Sequence, residues 1–245
     1  MPDPSFMLGA ASKAVSVDGV TRRFGRRWAL RGVSLQVSIG EVVAVEGHNG
    51  SGKSTLLRVL STALRATSGQ VHIFGRNIRE EPNWVRARVA LMAYRPGLYE
   101  DLTARENLAF AAKMLGNGET RLEEILERVG LIRDADERVR SFSSGMQRRL
   151  ALGRLLLQAP RVLLLDEPYN SLDREGVALV NEVVRDVVRG ANGSAVIVLH
   201  DRLSAGGLVD RVVAMREGRL IEPALPVLSV SDQRGDLAHA PEKSA

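Results

Sequence analysis

The residues best placed to do chemistry are Gly47-His48-Asn49-Gly50-Ser51-Gly52-Lys53-Ser54-Thr55. They fit the spacing G-x-x-x-x-G-K-[ST], which suits a loop that cradles phosphate. Glycines let a backbone wrap closely around phosphate oxygens, because no Cβ intrudes. Successive N–H groups then point inward as an anion nest. Lys53 adds a point charge for β- and γ-phosphates, and the Ser54 hydroxyl is a hard oxygen ligand for Mg²⁺. A second acidic pair, Asp166-Glu167, ends the apolar run Val162-Leu163-Leu164-Leu165. Side chains alternate along a strand, so the two carboxylates face different ways. One can hold a metal while the other polarises an attacking water, the division of labour that phosphoryl transfer to water requires. Taken alone, such a pair also fits a plain turn or helix cap.

These groups need elements to hold them. Val42-Val43-Ala44-Val45, Val162 to Leu165, Ala195 to Leu199 and Val212 to Met215 are continuously apolar, as expected for strands buried on both faces. Val15 to Val17 and Val33 to Val37 alternate apolar and polar residues and read as half-buried strands. Helical spacing predicts helices over Lys53–Ser61, Ala104–Leu115, Arg121–Val129, Gly145–Leu157 and Glu175–Val188. The phosphate loop therefore lies between a buried strand and a helix, where the helix dipole and free N–H groups add to the anion site. Roughly 94–160 is helical in pattern and the buried strands flank it. That order predicts an α/β core with a helical insertion.

The chain has 245 residues, no cysteine and a formal net charge of +5. It is long enough to bury a sizeable core without staples. The missing cysteine excludes a disulfide scaffold, a zinc ribbon, an iron–sulfur site and a thiol nucleophile, and fits a reducing cytoplasm. No stretch approaches the roughly 18–20 apolar residues that cross a bilayer, and Met1–Ser12 lacks the pattern of a signal peptide. Met1–Ser12 and Pro223–Ala245 read as tails rich in Pro, Ser, Ala and Gly. The dense basic cluster Arg22, Arg23, Arg26, Arg27 and Arg31 fits a phosphate or anionic-lipid contact, and fits a solvated loop better.

In this order the motifs resemble the nucleotide-binding domain of the ABC transporter family, over about Ala14 to Glu222. Phe142-Ser143-Ser144-Gly145-Met146, followed by Gln147-Arg148-Arg149, is similar to the family signature. Asp166-Glu167-Pro168 resembles the extended Walker B motif, Ser171-Leu172-Asp173 the D-loop, His200 the switch histidine and Phe24 the aromatic that stacks on adenine. Trp28 is a rival for that last role. The resemblance implies a P-loop NTPase core, with a mixed, mostly parallel sheet and flanking helices. It adds an antiparallel β subdomain and an inserted helical subdomain at about 94–160, within an ATPase domain spanning 13–222. ATP and Mg²⁺ would be bound by Phe24, Gly47 to Thr55 and Asp166. Glu167 would activate water, with His200 at the γ-phosphate. Ser143, Ser144 and Gly145 would face the ATP of an opposing subunit, and Asp173 would link the two sites. Ser143 and Asp173 also fit simple helix caps.

The resemblance further implies transmembrane permease subunits on other polypeptides, a second nucleotide-binding subunit, and residence on the cytoplasmic face of the cell membrane. The stretches Leu98 to Leu108, Leu155 to Pro160 and Leu172 to Val180 resemble exporter ATPases, and the last two the heme-exporter branch of cytochrome c assembly. One position departs from the family. The glutamine that senses Mg²⁺ and the membrane partner falls at Tyr94 or Arg95, and neither offers an amide carbonyl. A weakly hydrolysing regulatory subunit is therefore one alternative. A soluble ATPase acting on nucleic acid or ribosomes is another, weakened by the lack of a second cassette or an aromatic-interleaved basic patch.

Overall fold

The computed structural model describes residues 13–116, 121–199, 205 and 207–221. The proposed tails and His200 lie outside these residues. Two sheets share one core. The first is antiparallel and built from β1 (Lys13–Phe24), β2 (Arg27–Ser38), β4 (Ser68–Ile73) and β5 (Arg76–Asn77), in the order β2-β1-β4-β5. The second runs β10-β9-β3-β8-β7-β6, from β3 (Val42–Glu46), β6 (Val89–Met92), β7 (Val162–Asp166), β8 (Ser194–Val198), β9 (Arg211–Arg216) and β10 (Arg219–Ile221). Its strands are parallel except for the β9–β10 hairpin.

The apolar runs divide cleanly between two faces. Val43 and Val45, Val162 and Leu164, and Val196 and Val198 pack toward the antiparallel sheet and α1 (Lys53–Leu60). Their neighbours Val42 and Ala44, Leu163 and Leu165, and Ala195 and Ile197 pack on the opposite side. There they meet α5 (Ser144–Gln158) and α6 (Arg174–Arg185), the latter continuing into a π turn at Asp186–Gly190. This period of two, with both faces covered, is why these strands read as unbroken apolar runs.

Residues 94–143 contain no named strand among the described residues. Helices α3 (Ala104–Met114) and α4 (Leu122–Arg128) bury Leu108, Ile125 and Leu126 against Leu150 of α5. A short helix, α2 (Pro82–Arg86), precedes β6. A capping box starts α3, with Thr103 accepting from Glu106 N and the Glu106 carboxylate accepting from Thr103 N. Gly153 of α5 sits 3.1 Å, by its would-be Cβ, from Ile125, so a small residue sets the approach of α4 to α5.

Asn107 fastens the loop that enters this helical region. It is 1% exposed. Its Oδ1 accepts from Tyr99 N at 2.9 Å, and its Nδ2 donates to Tyr99 O and Thr103 O, each at 2.9 Å. Replacing it with alanine removes these three bonds and leaves Tyr99 N without its acceptor. Asn107→Ala should destabilise the chain by about 2–3 kcal/mol, measured as a lower midpoint in urea unfolding.

Candidate functional site

The loop after β3 is pinned by contacts that only glycine permits. A Cβ on Gly47, at φ +153°, would lie 2.2 Å from Met215 O of β9. A Cβ on Gly52, at φ +116°, would lie 2.6 Å from Ala29 O of β2. The loop is also held from behind: Gly218 N donates to Ser51 O at 2.8 Å, and Arg31 N to Gly218 O at 2.7 Å. Gly52 starts α1 without a side-chain cap, and its first turn carries no acidic residue. The free N–H groups of that turn are therefore left to an anion.

Lys53 is only 6% exposed. Its Nζ donates to Gly47 O at 2.6 Å and His48 O at 3.1 Å, lying across the curl of the loop. Burial lowers its pKa, opposed by the nearby carboxylates of Glu167 and Asp166. Asp166, 4% exposed at the end of β7, accepts a hydrogen bond from the Ser54 side chain. Burial raises its pKa, and Glu167 pushes the same way, while Ser54, Lys53 and Arg58 oppose. A carboxylate so deprived of water gains from a cation beside it. Among the described residues no three His, Cys, Asp or Glu cluster tightly enough to hold a metal unaided. The hydroxyl of Ser54 and the carboxylate of Asp166 do fit Mg²⁺, which commonly takes one or two protein oxygens and completes its shell from phosphates and water. The buried Ser51 Oγ has no hydrogen-bond partner among the described residues, which likewise suits a ligand that brings acceptors.

Glu167 follows the last residue of β7. Its φ is +52°, an unusual backbone for a side-chain-bearing residue. It is fixed there by Glu167 N donating to Val198 O at 3.1 Å and by Asn170 Nδ2 donating to its carboxylate at 2.6 Å. The side chain reaches a cavity of about 400 Å³ lined by Phe24, Arg27, Asn49, Lys53, Ser54 and Glu167, among others. A base-sized platform, a phosphate loop, the Ser54 hydroxyl and the Glu167 carboxylate thus share one space.

The hairpin joining β1 to β2 decides between the two aromatics. Phe24 pairs with Arg27 across a two-residue turn, and Arg23 pairs with Trp28 one step further in. Successive pairs face opposite sides of the ribbon. Phe24 and Arg27 line the phosphate-loop cavity, whereas Trp28 lines a different hollow with Thr21, Arg31 and Arg219. Phe24 is 47% exposed, and Arg22 covers one ring face with its guanidinium carbon 4.5 Å from the centroid. The other candidate, Trp28, has Arg23 at 5.5 Å. Arg27 is a site residue that its sequence neighbourhood hides. Within a run of arginines it reads as solvated, yet its Nη2 lies 3.5 Å from the would-be Cβ of Gly50. Asn170, which orients Glu167, is also invisible in the sequence beyond its place in a turn.

Ser143, Ser144, Gly145 and Asp173 do not line this cavity. Ser143 and Ser144 are exposed at the start of α5, where Ser143 caps the helix by accepting from Met146 N at 3.2 Å. Asp173 caps α6 by accepting from Gly176 N at 2.8 Å. That bond, together with Arg149, holds its carboxyl below the usual range. Arg149 Nη2 donates to both Asp173 carboxylate oxygens, at 2.6 and 2.8 Å. A Cβ on Gly145 would lie 2.9 Å from Ser171 O. Both cap readings therefore hold, and the two motifs are bound to each other rather than to the phosphate loop of the same chain.

Comparison with known proteins places this geometry. Residues 30–170 match the family described as "ABC transporter". A daunorubicin resistance ATP-binding protein, DrrA3 of Streptomyces coeruleorubidus, is 40% identical over 86% of this chain and 68% of its own length. The bacitracin transport ATP-binding protein BcrA of Bacillus licheniformis is 34% identical over 86% of this chain and 69% of its own. The dimeric, post-hydrolysis structure of the ATP-binding cassette MJ0796 with ADP and Pi superimposes with a TM-score of 0.76. It has 25% identity and covers 85% of this chain and 98% of that one.

The geometry sets out a direct test of the base platform. Phe24→Ala should weaken ATP binding by roughly 5- to 100-fold, the range of about 1–3 kcal/mol for one lost base–aromatic stack. Trp28→Ala should leave the affinity within about twofold. Fluorescent-nucleotide titration distinguishes the two; equal losses would reject the assignment. Gly52→Ala should abolish binding outright, because the new methyl meets a backbone carbonyl.

Proposed function

Because this chain belongs to the ABC transporter family, and is an ATPase of its cassette type, we propose that it powers export through membrane subunits carried on other polypeptides. Glu167 is taken as the residue that orients and activates water, and Asp166 and Ser54 as the holders of Mg²⁺. Lys53, the N–H groups of Gly47 to Thr55 and the Phe24 ring bind ATP. Bound Mg²⁺ would neutralise charge on the β- and γ-phosphates. The protein's own part is to fix the nucleotide, exclude bulk water and hold the Glu167 carboxylate at the cavity.

The observation that carries the cooperative part of this reading is the placement of Ser143 to Gly145. They sit at a helix N-terminus, Ser143 and Ser144 exposed and Gly145 half-buried, outside the cavity of their own chain. Such an end, with Ser143 and free N–H groups, suits the γ-phosphate of ATP held by a second subunit. Two cassettes would then close on two nucleotides, and hydrolysis would remove the group both faces share. The relative MJ0796 forms a dimer with ADP and Pi bound.

A groove with apolar and polar walls supports the membrane partner. Leu91, Met92, Pro96, Tyr99, Phe110 and Met114 are among its lining residues, around a cavity of about 350 Å³. Met114 is 73% exposed, and Tyr99 meets Phe110 edge-on at 5.0 Å between centroids. Arg154 anchors one wall by donating to Gly97 O at 2.7 Å. Exposed aromatics of this kind mark a docking site, and a short amphipathic helix of a permease fits it. No helix among the described residues is long and apolar enough to cross a membrane. In this proposal the permease supplies the span and holds the chain at the cytoplasmic face.

The cargo reading follows the relatives. DrrA3 and BcrA carry names of drug resistance and bacitracin transport. Export of a drug of the kind these names carry therefore displaces heme export as the better-supported reading. Isolation of the Glu167→Gln chain from solubilised membranes tests the whole scheme. A multi-span partner should co-purify without heme absorbance, and the ATP-bound chain should elute as a dimer. Heme in the complex would restore the cytochrome-assembly branch. Ribosomal protein or RNA in place of a membrane partner would reject the transport reading. Met114→Glu, which puts a charge in the groove, should reduce recovery of that partner at least about tenfold, a penalty of about 1.4 kcal/mol or more.

A further inference from the structure

Arg148 is buried for a reason the site described so far does not supply. It lies on α5, beyond the capping Ser143, and is 7% exposed. Its Nη1 has no hydrogen-bond partner among the described residues. Its Nη2 reaches the Tyr94 carbonyl at 3.5 Å, the outer limit of a hydrogen bond. The centroid of the Tyr94 ring lies 5.7 Å from its guanidinium carbon. Burial lowers its pKa, against the attraction of Tyr94, Glu167 and Asp166.

A buried guanidinium with so few acceptors costs stability. An apolar side chain of similar volume would avoid that cost. Costly groups of this kind are retained where activity needs them. Tyr94 is also one of the two positions where the sequence departs from the family's glutamine. A backbone carbonyl at the edge of bonding range therefore lies on one side of this charge. The carboxylates of Glu167 and Asp166 attract the same charge.

We propose that Arg148 is a positioning residue for ATP hydrolysis, and that its guanidinium couples the place of the Tyr94 backbone to the carboxylates of Asp166 and Glu167. A shift of the Tyr94 segment changes the hold on Nη2. It thereby changes how closely a positive charge approaches the residues that handle metal and water. Arg148 touches neither reactant, so its effect falls on turnover more than on nucleotide affinity.

The test uses the full chain with ATP and Mg²⁺, comparing Arg148→Met and Arg148→Lys by steady-state kinetics and thermal melting. Arg148→Met should melt at or above the wild-type temperature, since it removes a poorly satisfied buried charge. Its kcat should fall by about tenfold or more while KM for ATP stays within about twofold. Arg148→Lys should recover part of the loss, because it restores charge without the planar fork. Tyr94→Ala should lower kcat in the wild-type background and add nothing to Arg148→Met, as expected of groups that act through one another. Wild-type turnover by Arg148→Met would overturn the proposal. So would a lysine variant that recovers nothing, or a loss of kcat that tracks a lower melting temperature.

Discussion

The phosphate loop is clamped between two sheets, and the rest of the site depends on that clamp. Gly47 lies against the Met215 carbonyl on one side, and Gly52 against the Ala29 carbonyl on the other. Gly218 ties the back of the loop to β2 through Ser51 and Arg31. The antiparallel sheet and the parallel sheet are thus locked at the point where the nucleotide would sit. β2 leads back from this clamp to the hairpin tip, so the same contact sets where Phe24 and Arg27 stand. β3 leads into it, with β8 as its neighbour and β7 beyond, which brings Asp166 beside Ser54. Crevices at the carboxyl ends of parallel strands are where such folds bind ligands.

Within that frame the charges are arranged in mutual tension. Lys53 is pulled toward neutrality by burial and held charged by Glu167 and Asp166. Asp166 is pushed toward the protonated form by burial and by Glu167. Arg148 loses water and finds a single distant acceptor. Glu167 adds a backbone in the left-handed region. None of these favours the folded state by itself. The large apolar clusters on both faces of the central sheet supply the stability against which this local strain is held.

Much of this was legible in the sequence, and the misses have physical causes. The strands β3, β7, β8 and β9 announced themselves because both faces are buried, leaving no polar residue to break the run. β4, β5 and β6 did not. Ser68–Ile73 buries only Val71 and Ile73, and Val89–Met92 is four residues long. Helix positions were accurate to a few residues because each has an apolar stripe. The choice between Phe24 and Trp28 could not be read, since register shifts in the β1–β2 ribbon, one of them between Arg22 and Arg23, upset simple alternation. Charge type misled most. Arg148 stands beside another arginine and looks like solvated surface, yet it is buried, whereas Arg27 is exposed as its neighbourhood suggests and still borders the cavity. The signature residues were recognisable as a motif, but no single chain could show what they face.

The bond between Arg149 and Asp173, with the close approach of Gly145 to Ser171, has a mechanical meaning. It welds the start of α5 to the segment that follows Glu167. A push on that helix end would reach the Glu167 segment without passing through the nucleotide. In a closed pair of cassettes, the state of one subunit's ATP would be felt as force on the other's carboxylate. The two sites would then behave as a geared pair, in which neither can complete its stroke alone.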